Sequence, residues 1–318
     1  MADSFDKGAA LLAEMAAVRL SEATVQRTTQ DVGRRIEALL RQGYAFGPTV
    51  CWPWRPDARG RGVAYCTIDA TGTRQQARGG GRAEGRMAYV AGVYNPPPPD
   101  WLLPAGPAPP PLQARYLSGL YELAQMGPLL RRQAAQVGME RAEVWVALTD
   151  GGNGLEEFAQ KNFNRPDLVV ILDFYHAASY LEKLAKALHP ADEEQAKGQA
   201  ERWCRLLKEE GGAATLAVLR TWEWPSRRSA ALRQQWEEAE GYFSKNVHRM
   251  EYPEYQAEGW QIGSGVVESA CKTVVGQRLK GAGMRWGEGG AHALCHVRAL
   301  YRSEKGQWEA FWKRQYTK

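Results

Sequence analysis

Residues 144–177 read VWVALTDGGNGLEEFAQKNFNRPDLVVILDFYHA. Two apolar runs stand in it, from Val144 to Thr149 and from Leu168 to Leu172, and each ends in an aspartate, Asp150 and Asp173. Their length and their content of valine, isoleucine and leucine fit buried strands. Between them Gly151-Gly152 marks a turn, and Leu155 to Gln160 pattern a short helix. After Asp173 an amphipathic helix is expected through Leu188. Strands that alternate with helices imply parallel pairing and an α/β core. In open α/β sheets, sites gather at the carboxyl ends of the parallel strands, where both aspartates fall.

Upstream, Val63 to Asp69 is a third apolar run that ends in an acid. Gly72 signals a turn after it. A polar strand near Arg74 to Ala77 and another from Met87 to Tyr94 are expected to complete an antiparallel meander. Gly79-Gly80-Gly81 reads as a turn and matches no phosphate-loop pattern. The run NPPPPDWLLPAGPAPPP at 95–111 cannot be an interior strand or helix, because proline lacks the N–H and fixes φ. Residues 113–137 are expected to form a long helix that turns Leu117, Leu120, Tyr121, Ala124 and Leu129 inward. At the start of the chain, residues 4–42 read as two helices, the second capped by Ser21 and carrying Arg27, Arg34 and Arg35. A helix-turn-helix and a helical hairpin docked on the core both fit that pattern. Residues 43–60 read as a linker.

Downstream, residues 190–258 are charged, helical in pattern and rich in tryptophan at Trp203, Trp222, Trp224 and Trp236. An all-helical insertion is expected there. The stretch GWQIGSGVVESACKTVVGQRLKGAGMRW at 259–286 follows. Ser264 is placed to cap a helix whose apolar stripe is Val267, Ala270, Cys271 and Val274. Glu268 lies at the edge of that stripe, with Lys272 one turn on, and Arg278, Lys280 and Arg285 follow in a glycine-punctuated run. A carboxylate beside a row of cations suits a phosphate substrate; a common surface Glu-Lys pair also fits. The tail from Ala291 to Trp312 reads as helical.

Composition bounds the class. The 318 residues are 44% hydrophobic with net charge +5, which suits a soluble globular chain of one large or two smaller domains. From Ser269 to the end, ten Lys and Arg stand against three Glu, so the C-terminal stretch is basic and the remainder slightly acidic, which favours a polyanion partner. The five cysteines show no C-x-x-C spacing, which points to reduced thiols and a cytoplasmic protein, with no zinc ribbon. His292 and His296 are four apart on an expected helix but have no third ligand in sequence. The N-terminal stretch does not read as a secretory signal.

The motifs IGSGVVESACK, RLKGAGMRW, ILDFYHA at 171–177, RMEYPEY at 249–255 and GGAHALCHVRALYRSEKGQWEAFWK at 289–313 together resemble insertion-sequence transposases of the ISKra type. The resemblance covers most of the chain from about residue 10. It implies a DDE enzyme with an RNase H-like core, related to the Mutator and hAT-like enzymes that carry a C/D-x-x-H motif. The implied fold is a mixed five-stranded sheet flanked by helices, with an all-helical insertion before the last catalytic helix and an N-terminal helix-turn-helix-like segment. The implied organisation is a DNA-binding segment and linker at 1–60, the first part of the catalytic core at 61–190, the insertion at 191–258, and core helices with a basic tail at 259–318. Such transposases carry more chain upstream, so the resemblance implies that this sequence starts within their pattern.

The chemistry follows in the same terms. Joining or hydrolysing a phosphodiester calls for hard divalent cations on carboxylate oxygens. From the residues alone, Asp150 and Asp173 compete to join Asp69 and Glu268 as ligands. The resemblance assigns Asp69, Asp150 and Glu268 to two magnesium ions, for which manganese can substitute. It assigns Asp173 and His176, in Asp173-Phe174-Tyr175-His176, to the accessory motif. Lys272, Arg278, Lys280, Arg285, Arg27 and Arg34 become candidates for holding DNA phosphates. The expected partners are element-end and target DNA and further copies of the chain; no membrane is expected. A catalytically silent DNA-binding derivative and a stand-alone nuclease of the same fold are the competing functions.

Overall fold

The structure, a computed structural model, describes residues 4–76, 85–97, 111–222 and 229–316. Five strands form one mixed sheet: β1 (Val63–Arg74), β2 (Gly85–Asn95), β3 (Gln113–Gly119), β4 (Val144–Thr149) and β5 (Leu168–Leu172), in the order β3-β2-β1-β4-β5. The strands β1, β2 and β3 pair antiparallel, whereas β4 lies parallel to both β1 and β5. With helices on both sides and helical segments before and after, this is an RNase H-like α/β architecture. Residues Val63 to Ile68 are buried on both faces of β1, which is why the strand reads as an unbroken apolar run. Ala64, Cys66 and Ile68 join the core on one face, while Val63 and Tyr65 face the other way. Asp69 continues the second face by the two-residue alternation of a strand.

The meander differs from expectation. Arg74 does not begin a separate strand, because β1 continues through it in register with β2; Ala77 lies outside the described residues. The third strand is β3, inside the segment expected to begin a long helix. The helix α3 starts only at Leu123 and runs to Gln136. Residues 113–119 alternate too weakly to show as a strand in sequence, since Ala114, Arg115, Leu117, Ser118 and Gly119 are all buried. Both of their faces are covered by tertiary contacts. Arg115 pairs with Glu304 at 2.7 Å, and the Tyr116 N–H donates to Ser303 Oγ at 2.9 Å. Those partners lie around the end of α11 (Glu288–Arg302), which caps the sheet edge. Gly79-Gly80-Gly81, residues 98–110 of the proline run and Trp224 lie outside the described residues.

Two helices precede the sheet, α1 (Phe5–Ala16) and α2 (Glu22–Arg41), with Ser4 and Ser21 hydroxyls accepting at their N-caps. On α2, Gly33, Ile36 and Leu40 are buried. A Cβ at Gly33 would fall 2.1 Å from the Ala293 carbonyl oxygen, so α2 lies backbone to backbone against α11. Beyond β4 come α4 (Leu155–Asn162) and, beyond β5, α5 (Phe174–Leu188). The region expected as an all-helical insertion contains α6 (Glu193–Thr221), α7 (Ala230–Asn246) and α8 (Tyr252–Ala257). Gly211, at φ 82°, breaks α6 in a conformation open to glycine. Trp203, Leu207, Leu219 and Phe243 bring this region into one core with Val146, Ile171 and α5. The last elements are α9 (Gly265–Ala270), a π-helical segment (Cys271–Gly276), α10 (Gln277–Leu279), α11 and α12 (Gln307–Tyr316). No described helix is long and apolar enough to cross a membrane.

Candidate active site

The carboxyl ends of β1, β4 and β5 bring together residues far apart in sequence. Asp69 lies within β1, beyond the part that pairs with β4, and is half-buried. Its Oδ1 accepts the Ala70 N–H at 2.6 Å, and its Oδ2 accepts the Cys271 thiol at 3.3 Å. Burial raises the Asp69 carboxyl above its ordinary value and the negative charge of Asp150 adds to this, while the Ala70 and Cys271 hydrogen bonds and the His176 charge pull it down. Asp150 directly follows β4, and its Oδ1 accepts the Gly152 N–H at 2.8 Å. Glu268 sits on α9 toward solvent; burial raises its carboxyl first, and the charges of Asp173 and Asp69 raise it further. The charges act in pairs: Asp150, just after β4, on Asp69 within β1, and Asp69 and Asp173 on Glu268 of α9.

Asp173 has a different setting. It is fully buried, and both oxygens are committed to backbone. Oδ1 accepts the His176 N–H at 2.6 Å and caps α5, while Oδ2 accepts the Ser264 N–H in a short bond. The Phe174 N–H donates to the Ile262 carbonyl at 2.8 Å beside it. The two sequence motifs are thus stitched together: the acid of ILDFYH holds the loop that launches the helix of Glu268. Ser264 occupies the N-cap position of α9, but its hydroxyl makes no bond to the helix backbone, unlike the capping expected. A Cβ on Gly263 would lie 2.5 Å from the exposed Tyr175 ring, which would have to shift. The helix expected after Ser264 runs as α for six residues and then widens into the π-helical segment. That segment carries Cys271, whose thiol burial keeps protonated and hence a donor to Asp69.

Further groups that were not assigned to the site from sequence meet at this place. Arg249, only 3% exposed, donates to Thr149 Oγ1 at 3.2 Å and also binds Asn246 and Glu156, and Thr149 directly precedes Asp150. Tyr242 of α7 stacks on Tyr180 with ring centres 4.1 Å apart, and its ring lies 5.8 Å from that of His176. Tyr242 stands in a helical, charged region with no motif to mark it, whereas Arg249 opens the RMEYPEY motif, which by itself points to no site role. Their proximity to β4 comes only from how α7 folds back.

The candidate cations divide. Lys272, Lys280 and Arg285 are exposed, and Lys280 Nζ reaches Thr71 Oγ1, two residues beyond Asp69. Trp286 pairs with the end of β1 through the Gln76 N–H to its carbonyl at 2.8 Å, so the basic run lies alongside that strand. Arg278 is only 5% exposed, with its guanidinium 4.2 Å from the Phe5 ring centre and 4.9 Å from that of Trp286. It is turned into the protein rather than toward a ligand surface. Arg27 and Arg34 are exposed on α2, and Arg34 pairs with Asp31.

Among the described residues, one trio places its ligand atoms all within 4.8 Å of one another: Glu37, His292 and His296. Such a set could coordinate a divalent metal. The third ligand that sequence spacing lacked comes from α2. His292 Nε2 lies 3.1 Å from Glu37 Oε1 and 3.3 Å from His296 Nε2, and Tyr121 Oη lies 2.9 Å from His296 Nε2. His292 Nδ1 accepts the Leu120 N–H at 2.9 Å, which places the proton of the neutral ring on Nε2, facing Glu37. A metal would have to displace that proton, against the usual pattern in which the second ring nitrogen donates. Burial, the charge of His292 and that of Arg41 hold His296 well below the usual imidazole value, so it stays neutral. The imidazoles suit zinc-like ions; magnesium is suited by the oxygen set of Asp69, Asp150 and Glu268. All five cysteines are free, and burial pushes Cys66 up to about 12 and Cys295 up to about 11. No protein-family model and no curated protein matches the chain.

Proposed function

We propose that this chain is a DDE transposase of the ISKra type, which cleaves DNA strands at element ends and joins the 3′-hydroxyl to target DNA. The observation that supports the reading is electrostatic: the charge of Asp150, just after β4, acts on Asp69 of the neighbouring parallel strand β1, and the charge of Asp69 acts on Glu268 of α9. Like charges brought together on an open sheet end are costly unless cations offset them, so the arrangement fits a site built for divalent ions. These three residues would hold two magnesium ions, or manganese in their place. Bound there, the ions supply Lewis acidity to the attacking and leaving oxygens of a phosphodiester.

The chain's own groups supply the rest. The Cys271 thiol and the Ala70 N–H orient Asp69, and Asp173 fixes the loop from which Glu268 projects. Lys280 and Arg285 lie along β1 beyond Asp69. A strand rises about 3.3 Å per residue, so Thr71, which Lys280 touches, falls about 7 Å beyond Asp69. Cations spaced in this way suit a DNA strand continuing from the acids. DNA as partner, assembly of several copies on paired ends, a DNA-binding role for the N-terminal helices, the four-part domain division and a cytoplasmic setting all belong to this proposal.

The test uses supercoiled DNA that carries the element ends, with magnesium. The wild-type chain is expected to nick and to give joined products. Asp69→Ala and Glu268→Ala should give neither while still shifting DNA in a gel. Cleavage retained in either variant would refute the assignment, and nicks without joined products would favour a stand-alone nuclease.

A further inference from the structure

Tyr242 is half-buried, and its hydroxyl oxygen is buried against Gly151, the residue after Asp150. Its Oη has no hydrogen-bond partner among the described residues. A Cβ on Gly151 would lie 2.7 Å from that oxygen and 2.4 Å from the ring edge, so the residue after Asp150 is glycine because Tyr242 fills the space. The ring is held firmly. It stacks on Tyr180, and one turn later Asn246 receives Arg249, which in turn grips Thr149. A buried hydroxyl left without an acceptor costs about 1–3 kcal/mol, and retaining it in so constrained a place implies an acceptor in another state of the site.

Two carboxylates act on this phenol, Asp150 and Asp173. Both oxygens of Asp173 already accept backbone N–H groups. Asp150 is held through Oδ1 by Gly152, and it adjoins Gly151, against which Oη rests. The burial of Tyr242 raises its phenol, so the group is a donor at any working pH.

We infer that Tyr242 is a positioning residue for Asp150, its hydroxyl donating to the Asp150 carboxylate when that carboxylate turns to ligate a divalent metal. The inference rests on the acid site proposed above and adds a role for the helical region that contains α7. Ligating carboxylates are commonly held by such outer hydrogen bonds, and loss of one weakens metal binding by about 10–100-fold.

The probe is Mn2+ alone, titrated calorimetrically into the full chain and into Asp69→Asn, Asp150→Asn and Tyr242→Phe. The heat that disappears in Asp69→Asn defines the acid site and separates it from any ion on Glu37, His292 and His296. Phe keeps the ring stack and the contact with Gly151 and removes the unpaired hydroxyl, so the metal-free variant should melt at or above the wild-type temperature. Tyr242→Phe is expected to bind Mn2+ at the acid site about 10-fold more weakly. Wild-type affinity in Tyr242→Phe, beside abolished binding in both aspartate variants, overturns this inference alone. Undiminished binding in both aspartate variants overturns the acid site itself and the role of Tyr242 with it.

Discussion

Asp173 and Asp150 look alike in sequence, each closing an apolar run, yet their surroundings set opposite consequences for the same substitution. In Asp173→Asn one oxygen becomes an NH2 that faces a backbone N–H, either that of His176 or that of Ser264. A buried donor set against a donor costs about 1–3 kcal/mol, so this variant should melt lower and lose part of its activity through the displaced loop. Asp150→Asn retains its single Gly152 contact and should keep its melting temperature while losing metal-dependent cleavage. Equal melting temperatures for the two variants would contradict the roles drawn from these contacts. Asp69 offers a pH test. Its carboxyl is raised in the folded protein, chiefly by burial. A raised acid costs stability above its folded value, and the cost vanishes below the ordinary carboxyl value, where both states are protonated. Asp69→Asn should therefore melt higher than wild type at pH 7, by roughly 2 °C or more for each kcal/mol relieved. The difference should shrink as the pH falls toward 4. Thermal melts across pH would read it, and a gap that widened in acid would reverse the sign.

At the scale of elements, α2 is joined to the core by a close approach and a polar cluster. The approach is Gly33 on Ala293, and the cluster is Glu37 with His292, beside His296 and Tyr121. Burial works to raise Glu37, but the hydrogen bonds and charges of His292 and Arg41 outweigh it and hold the carboxylate below its usual value. Gly33→Ala should push α2 off α11, since its Cβ would meet a backbone carbonyl that cannot move aside. Overpacking of this kind costs about 1–3 kcal/mol. Limited proteolysis should then cut the turn between α1 and α2 faster than in wild type. Unchanged cutting and melting would mean that α2 tolerates separation from α11. This contact docks α2 on the core and is compatible with both readings of residues 4–42. It leaves exposed the side of α2 that carries Arg27 and Arg34.

For the whole molecule, charge is the property that binding would report. The basic C-terminal stretch does not present all its cations outward. Arg298 donates to the Val274 carbonyl at 2.7 Å and to Thr273, and Arg278 lies between two rings. Lys272, Lys280 and Arg285 remain exposed. Replacing Lys280 and Arg285 together by alanine should weaken binding to all DNA sequences alike. It should also lower the slope of log affinity against log salt by about 2, because each phosphate that a side chain neutralises adds about 0.9 to that slope. The same change at Arg278 should act on melting temperature instead. A sequence-specific loss in the double variant, read by anisotropy on several duplexes, would point to base contacts in place of phosphate contacts.

The sequence alone determined the α/β class, the strands of Asp69, Asp150 and Asp173, both N-terminal helices and the helical character of the region after α5. Each is a local matter, because runs of buried strand residues and helical periodicity are carried by neighbours within one element. It also placed Asp69, Asp150 and Glu268 on elements able to meet. Only the tertiary structure decided that residues 113–119 are a strand, because their burial comes from β2 and α11 and leaves no alternation to read. Residues alone left Asp173 and Asp150 alike; the tertiary structure gave Asp173 its hydrogen bond to a loop far along the chain. It brought Tyr242 and Arg249 to the end of β4, Cys271 to Asp69 and Glu37 to the two histidines of α11. Each of these meetings depends on how helices cross a sheet, and the spacing of residues along one chain does not encode where two elements touch.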